Sequence, residues 1–153
     1  IIKHSNKFLV ELKDSEVLDL FCGTGSFGLE CLSRGVKYVT FVENYTGIIP
    51  ILKKNLNNLL NIKNYKIIEK DILNKFDYQI FKKKFDIIFL DPPYKENNLN
   101  VLIDSLLDNK ILKTKGIIII HRHKKQNDNF SEKFKILDQK KYGISKIIFG
   151  TYS

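Results

Sequence analysis

The sequence predicts an α/β domain: a mostly parallel central sheet, helices on both faces and an antiparallel hairpin at the C-terminal end. Three observations carry this expectation. Short β-branched or aromatic runs alternate with stretches of helical spacing, the pattern of βαβ units. Two of those runs, 86–90 and 116–120, are almost wholly apolar, as strands covered on both faces must be. The last two runs are joined by a connector too short to hold a crossover helix.

In chain order, Val17–Phe21 is the first expected strand; it runs into a glycine turn, with a helix over Phe27–Ser33 beyond it. Tyr38–Val42 is the second strand. Ile48–Leu60 is expected as a helix because Ile48, Leu52, Leu56 and Leu59 recur three or four residues apart and share a face. Pro50 falls in its first turn, where a missing N–H is tolerated. Lys66–Ile68, Asp86–Leu90 and Gly116–Ile120 are the third to fifth strands, with helices expected over Asn74–Phe81 and Leu99–Leu107. His121–Phe130 is polar and expected as loop. Phe134–Leu137 and Ile144–Phe149 form the hairpin around a polar connector holding Lys140, Lys141 and Gly143. With no internal repeat and no linker, residues 1–153 are expected to be one domain.

Composition narrows the function. No apolar run reaches the roughly 18–20 residues of a membrane span, and the start has no secretory pattern. Cys22 and Cys31 lack metal-type spacing, so free thiols in a cytoplasmic protein are expected. The chain starts at Ile1 and contains no methionine, which suggests a piece trimmed at its N-terminus. Its formal net charge of +9, from 26 basic and 17 acidic residues, favours a polyanionic partner. Only Arg34 and Arg122 are arginine, and the abundance of Ile, Asn and Lys suits an AT-rich coding sequence equally well.

The first chemical motif is the run 17–28, Val-Leu-Asp-Leu-Phe-Cys-Gly-Thr-Gly-Ser-Phe-Gly. Gly23, Gly25 and Gly28 have the G-x-G-x-x-G spacing, and Glu43 stands 20 residues after Gly23, so a nicotinamide dinucleotide is one candidate ligand. Asp19 opposes it, because a carboxylate near a pyrophosphate is repelled by on the order of 1 kcal/mol or more. S-adenosylmethionine has an ammonium and a sulfonium and no phosphate, and an acid beside the loop suits it. Glu43 would accept from the ribose hydroxyls of either cofactor. The structural alternative makes Asp19 a cap for the turn.

The second motif is Asp91-Pro92-Pro93-Tyr94, directly after an apolar strand, where open α/β sheets place their chemistry. The prolines restrict the backbone and can hold the Asp91 carboxylate and the Pro92 carbonyl on one spot. An aromatic amine is a poor nucleophile because its lone pair is delocalised. Two acceptors gripping its N–H groups favour a pyramidal nitrogen and release that pair, while Tyr94 can stack on the base. The structural alternative is an ordinary Asp-Pro turn.

Two weaker features complete the set. Asp71 could accept from an adenine amino group, with the Ile72 N–H facing a ring nitrogen, or it could simply cap the segment that follows. The cluster His121-Arg122-His123-Lys124-Lys125 could receive phosphates flanking a target base. His121 and His123 have no third ligand nearby, so no metal is expected.

On these residues the chain resembles the RsmD family of bacterial 16S rRNA guanine-N2 methyltransferases. The likeness runs through Val17–Gly35, Val42-Glu43, Phe89–Tyr94 and the tail Gln139–Tyr152. The segment Gly28-Leu-Glu-Cys-Leu-Ser-Arg-Gly35 is the most telling, because methyltransferases in general share the other motifs but not this helix. The resemblance implies a Rossmann-like class I methyltransferase fold, S-adenosylmethionine as donor, and a guanine N2 in 16S ribosomal RNA or a small-subunit assembly particle as acceptor. It implies a catalytic set of Asp91, Pro92, Pro93 and Tyr94. The implied cofactor set is Asp19, Phe21, Cys22, Gly23, Gly25, Glu43, Asn44, Asp71 and Ile72. The family's N-terminal β-hairpin and Arg-Pro-Thr segment are not found, and the basic stretch after Ile120 departs from its more acidic pattern.

Other readings stay open at this stage. The Asp-Pro-Pro-Tyr logic serves an adenine N6 or cytosine N4 equally. Glutamine-directed protein methyltransferases resemble this pattern but have Asn in place of Asp91. A nicotinamide-dependent oxidoreductase and a non-catalytic RNA-binding module are the alternatives from other classes.

Overall fold

The computed structural model describes residues 1–2 and 11–153. Its elements in chain order are β1 (Glu16–Leu20), α1 (Ser26–Ser33), β2 (Tyr38–Val42), α2 (Ile49–Asn57) and β3 (Tyr65–Ile68). A 3₁₀ turn (Tyr78–Phe81), β4 (Phe85–Leu90), α3 (Leu99–Asp108), β5 (Leu112–His123), β6 (Phe134–Tyr142) and β7 (Ser145–Tyr152) follow. All seven strands form one sheet in the order β3-β2-β1-β4-β5-β7-β6. The first five are mutually parallel, and β7 runs antiparallel to both β5 and β6. No helix among the described residues is long and apolar enough to cross a membrane.

Side-chain alternation sorts the core into two layers. Val17, Phe41, Ile87, Phe89, Ile117 and Ile119 pack under α1 and α2, against Cys31, Leu32, Leu52 and Leu56. Leu18, Leu20, Ile88, Leu90, Ile118 and Ile120 pack under α3 and the 3₁₀ turn, against Leu102, Ile103, Leu106 and Phe81. Each such side chain stabilises the fold by about 1.5–3 kcal/mol on burial. The two-sided cover explains why β4 and β5 are apolar without alternation.

Three expectations need correction. Asn74–Phe81 forms no α-helix, only the 3₁₀ turn from Tyr78. Asp77 accepts there from the Gln79 N–H, and Phe76, Tyr78 and Phe81 make a small aromatic cluster in place of a helical face. The fifth strand does not end at Ile120. It continues to His123, because β7 pairs with it across His121↔Ile147 and His123↔Ser145. Lys140 and Lys141 lie in β6, and the hairpin connection shrinks to Gly143 and Ile144, with Gly143 in the left-handed region at φ 55°.

Candidate functional site

The sheet's switch point lies at β1, whose neighbours β2 and β4 lead the chain away to opposite sides. A cleft of about 790 Å³ opens at the carboxyl ends of β1 and β4. The backbone N–H of Asp91 reaches the Leu20 carbonyl at 3.4 Å, so the proline corner leaves the sheet directly beside the glycine bend. Asp19, the backbone from Phe21 to Thr24, and Asp91 all line this one cleft. Phe27 stacks on Phe89 at 4.0 Å to form part of its wall.

The three motif glycines serve different needs. Gly23 (φ 54°) has open space where a side chain would stand, so ligand atoms can approach its backbone. Gly25 is left-handed at φ 86°, and an added Cβ would lie 2.4 Å from Leu52 Cδ1. Gly28 is an ordinary helical residue whose added Cβ would strike the Phe41 ring at 2.3 Å.

Asp19 follows Val17 on the α1 face and is buried. Its Oδ2 accepts from the Gly28 N–H at 3.0 Å and so caps α1, whose own N-cap, Gly25, has no side chain to do it. Its Oδ1 is buried without a partner. Burial pushes this carboxyl up to about 8; the Gly28 N–H works against that, and the charges of Asp91 and Glu43 add to it. Cys22 is half-buried, and its thiol is pushed up by burial and then by Asp19 and Glu43, which leaves it unreactive. At the end of β2, Glu43 accepts from the Gly23 N–H at 2.8 Å and from the N–H groups of Asn44 and Tyr45 at 3.0 Å each. Asp71 Oδ1 accepts from the Leu73 N–H at 2.9 Å, the turn-capping arrangement, and Ile72 is buried next to it. Glu43, Asn44, Asp71 and Ile72 do not line the main cleft.

A second cleft of about 210 Å³ adjoins the first and is lined by Pro92, Tyr94, His123, Ile144 and Ser145. Asp91 and His121 line both clefts and form the wall between them. Pro93 is exposed beside Pro92. Tyr94 is exposed and meets His123 edge-on at 5.2 Å. His121 Nδ1 lies 2.9 Å from Asp91 Oδ1, and its Nε2 lies 2.9 Å from Ser145 Oγ.

Arg122 is not available to phosphates. It points to the opposite face of the sheet from its neighbours His121 and His123. There it is buried in a two-point ion pair with Asp128 at 2.8 and 2.9 Å and donates to the Glu96 carbonyl at 2.8 Å. Lys124 and Lys125 are exposed. Among the described residues no group of His, Cys, Asp or Glu could hold a metal ion. Sequence reasoning placed His121 in a basic loop and passed over Ser145, Phe27 and Phe89. Continuing the strand alternation past Ile120 would have put His121 on the Asp19 face.

Residues 3–151 match the family described as Conserved hypothetical protein 95. A Haemophilus influenzae protein named Ribosomal RNA small subunit methyltransferase D is 34% identical over 140 residues, which cover 91% of this chain and 72% of that one. The chain spans 60% and 56% of the length of two further curated relatives that it matches. A solved methylase from H. influenzae superposes with a TM-score of 0.79 at 31% identity, covering 97% of this chain and 94% of the other. A methyltransferase solved in complex with SAH shares the fold at a TM-score of 0.74 and 19% identity, covering 97% of this chain and 48% of its own.

Proposed function

The chain belongs to the family described as Conserved hypothetical protein 95, the RsmD methyltransferases, and we propose that it moves a methyl group from S-adenosylmethionine to the N2 amino group of a guanine in 16S ribosomal RNA. The RNA is presented naked or within a small-subunit assembly particle. The observation that carries this reading is the placing of two carboxylates on one cleft: Asp19, with a buried unpartnered oxygen, and Asp91, at the next strand end.

The residues present fit the cofactor. A buried carboxylate oxygen without a donor is stabilised by an ammonium and opposed by a phosphate, which favours S-adenosylmethionine over a nicotinamide dinucleotide. Asp19 would hold the ammonium, the backbone from Phe21 to Gly25 would line its chain, and Glu43 and Asn44 would meet the ribose. Asp71 and Ile72 would flank the adenine. When bound, the cofactor supplies an electrophilic methyl on a sulfonium.

Asp91 Oδ2, which makes no hydrogen bond among the described residues, grips one N–H of the target amine, and the Pro92 carbonyl takes the other. Pro93 stiffens the corner, and Tyr94 stacks on the base. So held, the nitrogen lone pair would be free to accept the methyl that the cofactor would supply, the sulfonium being left as a neutral thioether. The surplus N–H proton passes to Asp91 Oδ2 and on to water. Holding the nitrogen in line supplies much of the rate advantage.

Purified chain is incubated with S-adenosylmethionine and undermethylated small subunits, and the RNA is digested to nucleosides for mass spectrometry. N2-methylguanosine is expected; N6-methyladenosine or N4-methylcytosine would move the acceptor to another base. Asp91→Ala should lose turnover while still binding S-adenosylhomocysteine in calorimetry, and an active Asp91→Ala enzyme overturns the assigned role.

A further inference from the structure

We infer that His121 is a positioning residue for the transfer: held by Ser145, it occupies one oxygen of Asp91 and leaves the other as the single carboxylate acceptor for the target amine. The inference rests on the reading of Asp91 given above.

The Asp91 side chain is 51% exposed and lies one residue beyond β4, where the strand ladder no longer constrains it. Its own backbone anchor to Leu20, at 3.4 Å, is long. A carboxylate so placed can turn about its side-chain bonds, and an error of about 1 Å in an acceptor can cost about 100-fold in rate. Among the described residues, His121 is the one side chain that holds it.

The chemistry of the partners assigns the proton. An ionised carboxylate only accepts, so the hydrogen in the 2.9 Å contact sits on His121 Nδ1. In the neutral ring Nε2 is then an acceptor, and the Ser145 hydroxyl donates to it across 2.9 Å. The ring is thus held through its own strand and, at Nε2, by Ser145 of the neighbouring strand. His121 pairs with Ile147 in the β5–β7 ladder, and Ser145 opens β7 opposite His123. Asp91 and His121 together form the wall between the 790 Å³ and 210 Å³ clefts. An amine entering on the Tyr94 side meets the free oxygen, Oδ2, at that wall.

The test combines spectroscopy with three substitutions. Nitrogen-15 NMR of the imidazole in the ligand-free chain, with His121 assigned by difference from His121→Asn, should show the Nδ1–H tautomer; an Nε2–H tautomer overturns the inference. His121→Ala should lower kcat by about 10- to 100-fold with KM for S-adenosylmethionine unchanged. Asn places its amide N–H where Nδ1 stands, and Gln places its own where Nε2 stands. His121→Asn should therefore recover most of kcat and His121→Gln should not. Wild-type kcat in His121→Ala, or equal kcat in the Asn and Gln variants, also overturns it. If the variants fail to fold, the wild-type tautomer decides. A wild-type chain with the Nδ1–H tautomer that methylates no RNA would instead sink the methyltransferase reading.

Discussion

The two oxygens of Asp19 meet different surroundings. Oδ2 caps α1 through the Gly28 N–H, and Oδ1 is buried with no donor. With its carboxyl pushed up to about 8, Asp19 keeps its proton in the folded chain over a range where an unfolded aspartate, near 3.8, has lost it. The sign follows: the raised group stabilises the ligand-free fold fully below pH 3.8, and that contribution is lost as pH climbs towards 8. On the proposed reading, an ammonium seated on Oδ1 would draw the proton off. At pH 7, binding of S-adenosylhomocysteine should therefore release about one proton. Calorimetry in buffers of different ionisation enthalpy measures it, and no buffer dependence would contradict the assignment. Asp19→Asn should weaken binding by about 10- to 100-fold while making the free chain more resistant to urea at pH 8.

At the scale of elements, the segment after the proline corner is anchored from across the sheet. Arg122 leaves β5 on the α3 face, pairs with Asp128 and holds the Glu96 carbonyl. Its side chain is 1% exposed and that of Asp128 is 7% exposed, so Asp128→Ala strands a buried guanidinium. A loss of about 3–5 kcal/mol is expected in urea unfolding; a loss under about 1 kcal/mol would mean that water reaches the pair. Legibility also varied by element. The spacing of Leu52 and Leu56 marked the buried face of α2, because a helix repeats its contacts every three or four residues. Tyr78 and Phe81 have a spacing that a helix could also use, but Phe76, two residues before Tyr78, joins the same aromatic cluster, which a helix would not allow.

For the whole molecule, charge and topology act together. The formal charge of +9 and the exposed side chains of Lys124, Lys125 and Lys141 suit a phosphate backbone as partner. RNA affinity should fall by about 10³-fold between 50 and 200 mM salt for about six phosphate contacts, as filter binding would record. A flat salt profile would make the lysines compositional. Strand order joins this surface to the chemistry, because β4 lies between β1 and β5.

Sequence by itself determined the α/β class, the glycine bend, the proline corner and the carboxylates on either side, because alternation, glycine and proline act within a few residues of themselves. Only the tertiary structure decided that Asp19 caps a helix with one oxygen and keeps the other without a donor. It also decided that Arg122 is buried in an ion pair, and that His121 and Ser145 close on Asp91. Those facts depend on which strands become neighbours and which face each residue takes, and the contacts that set them join positions as far apart as Val17 and Ile87 or Leu20 and Asp91.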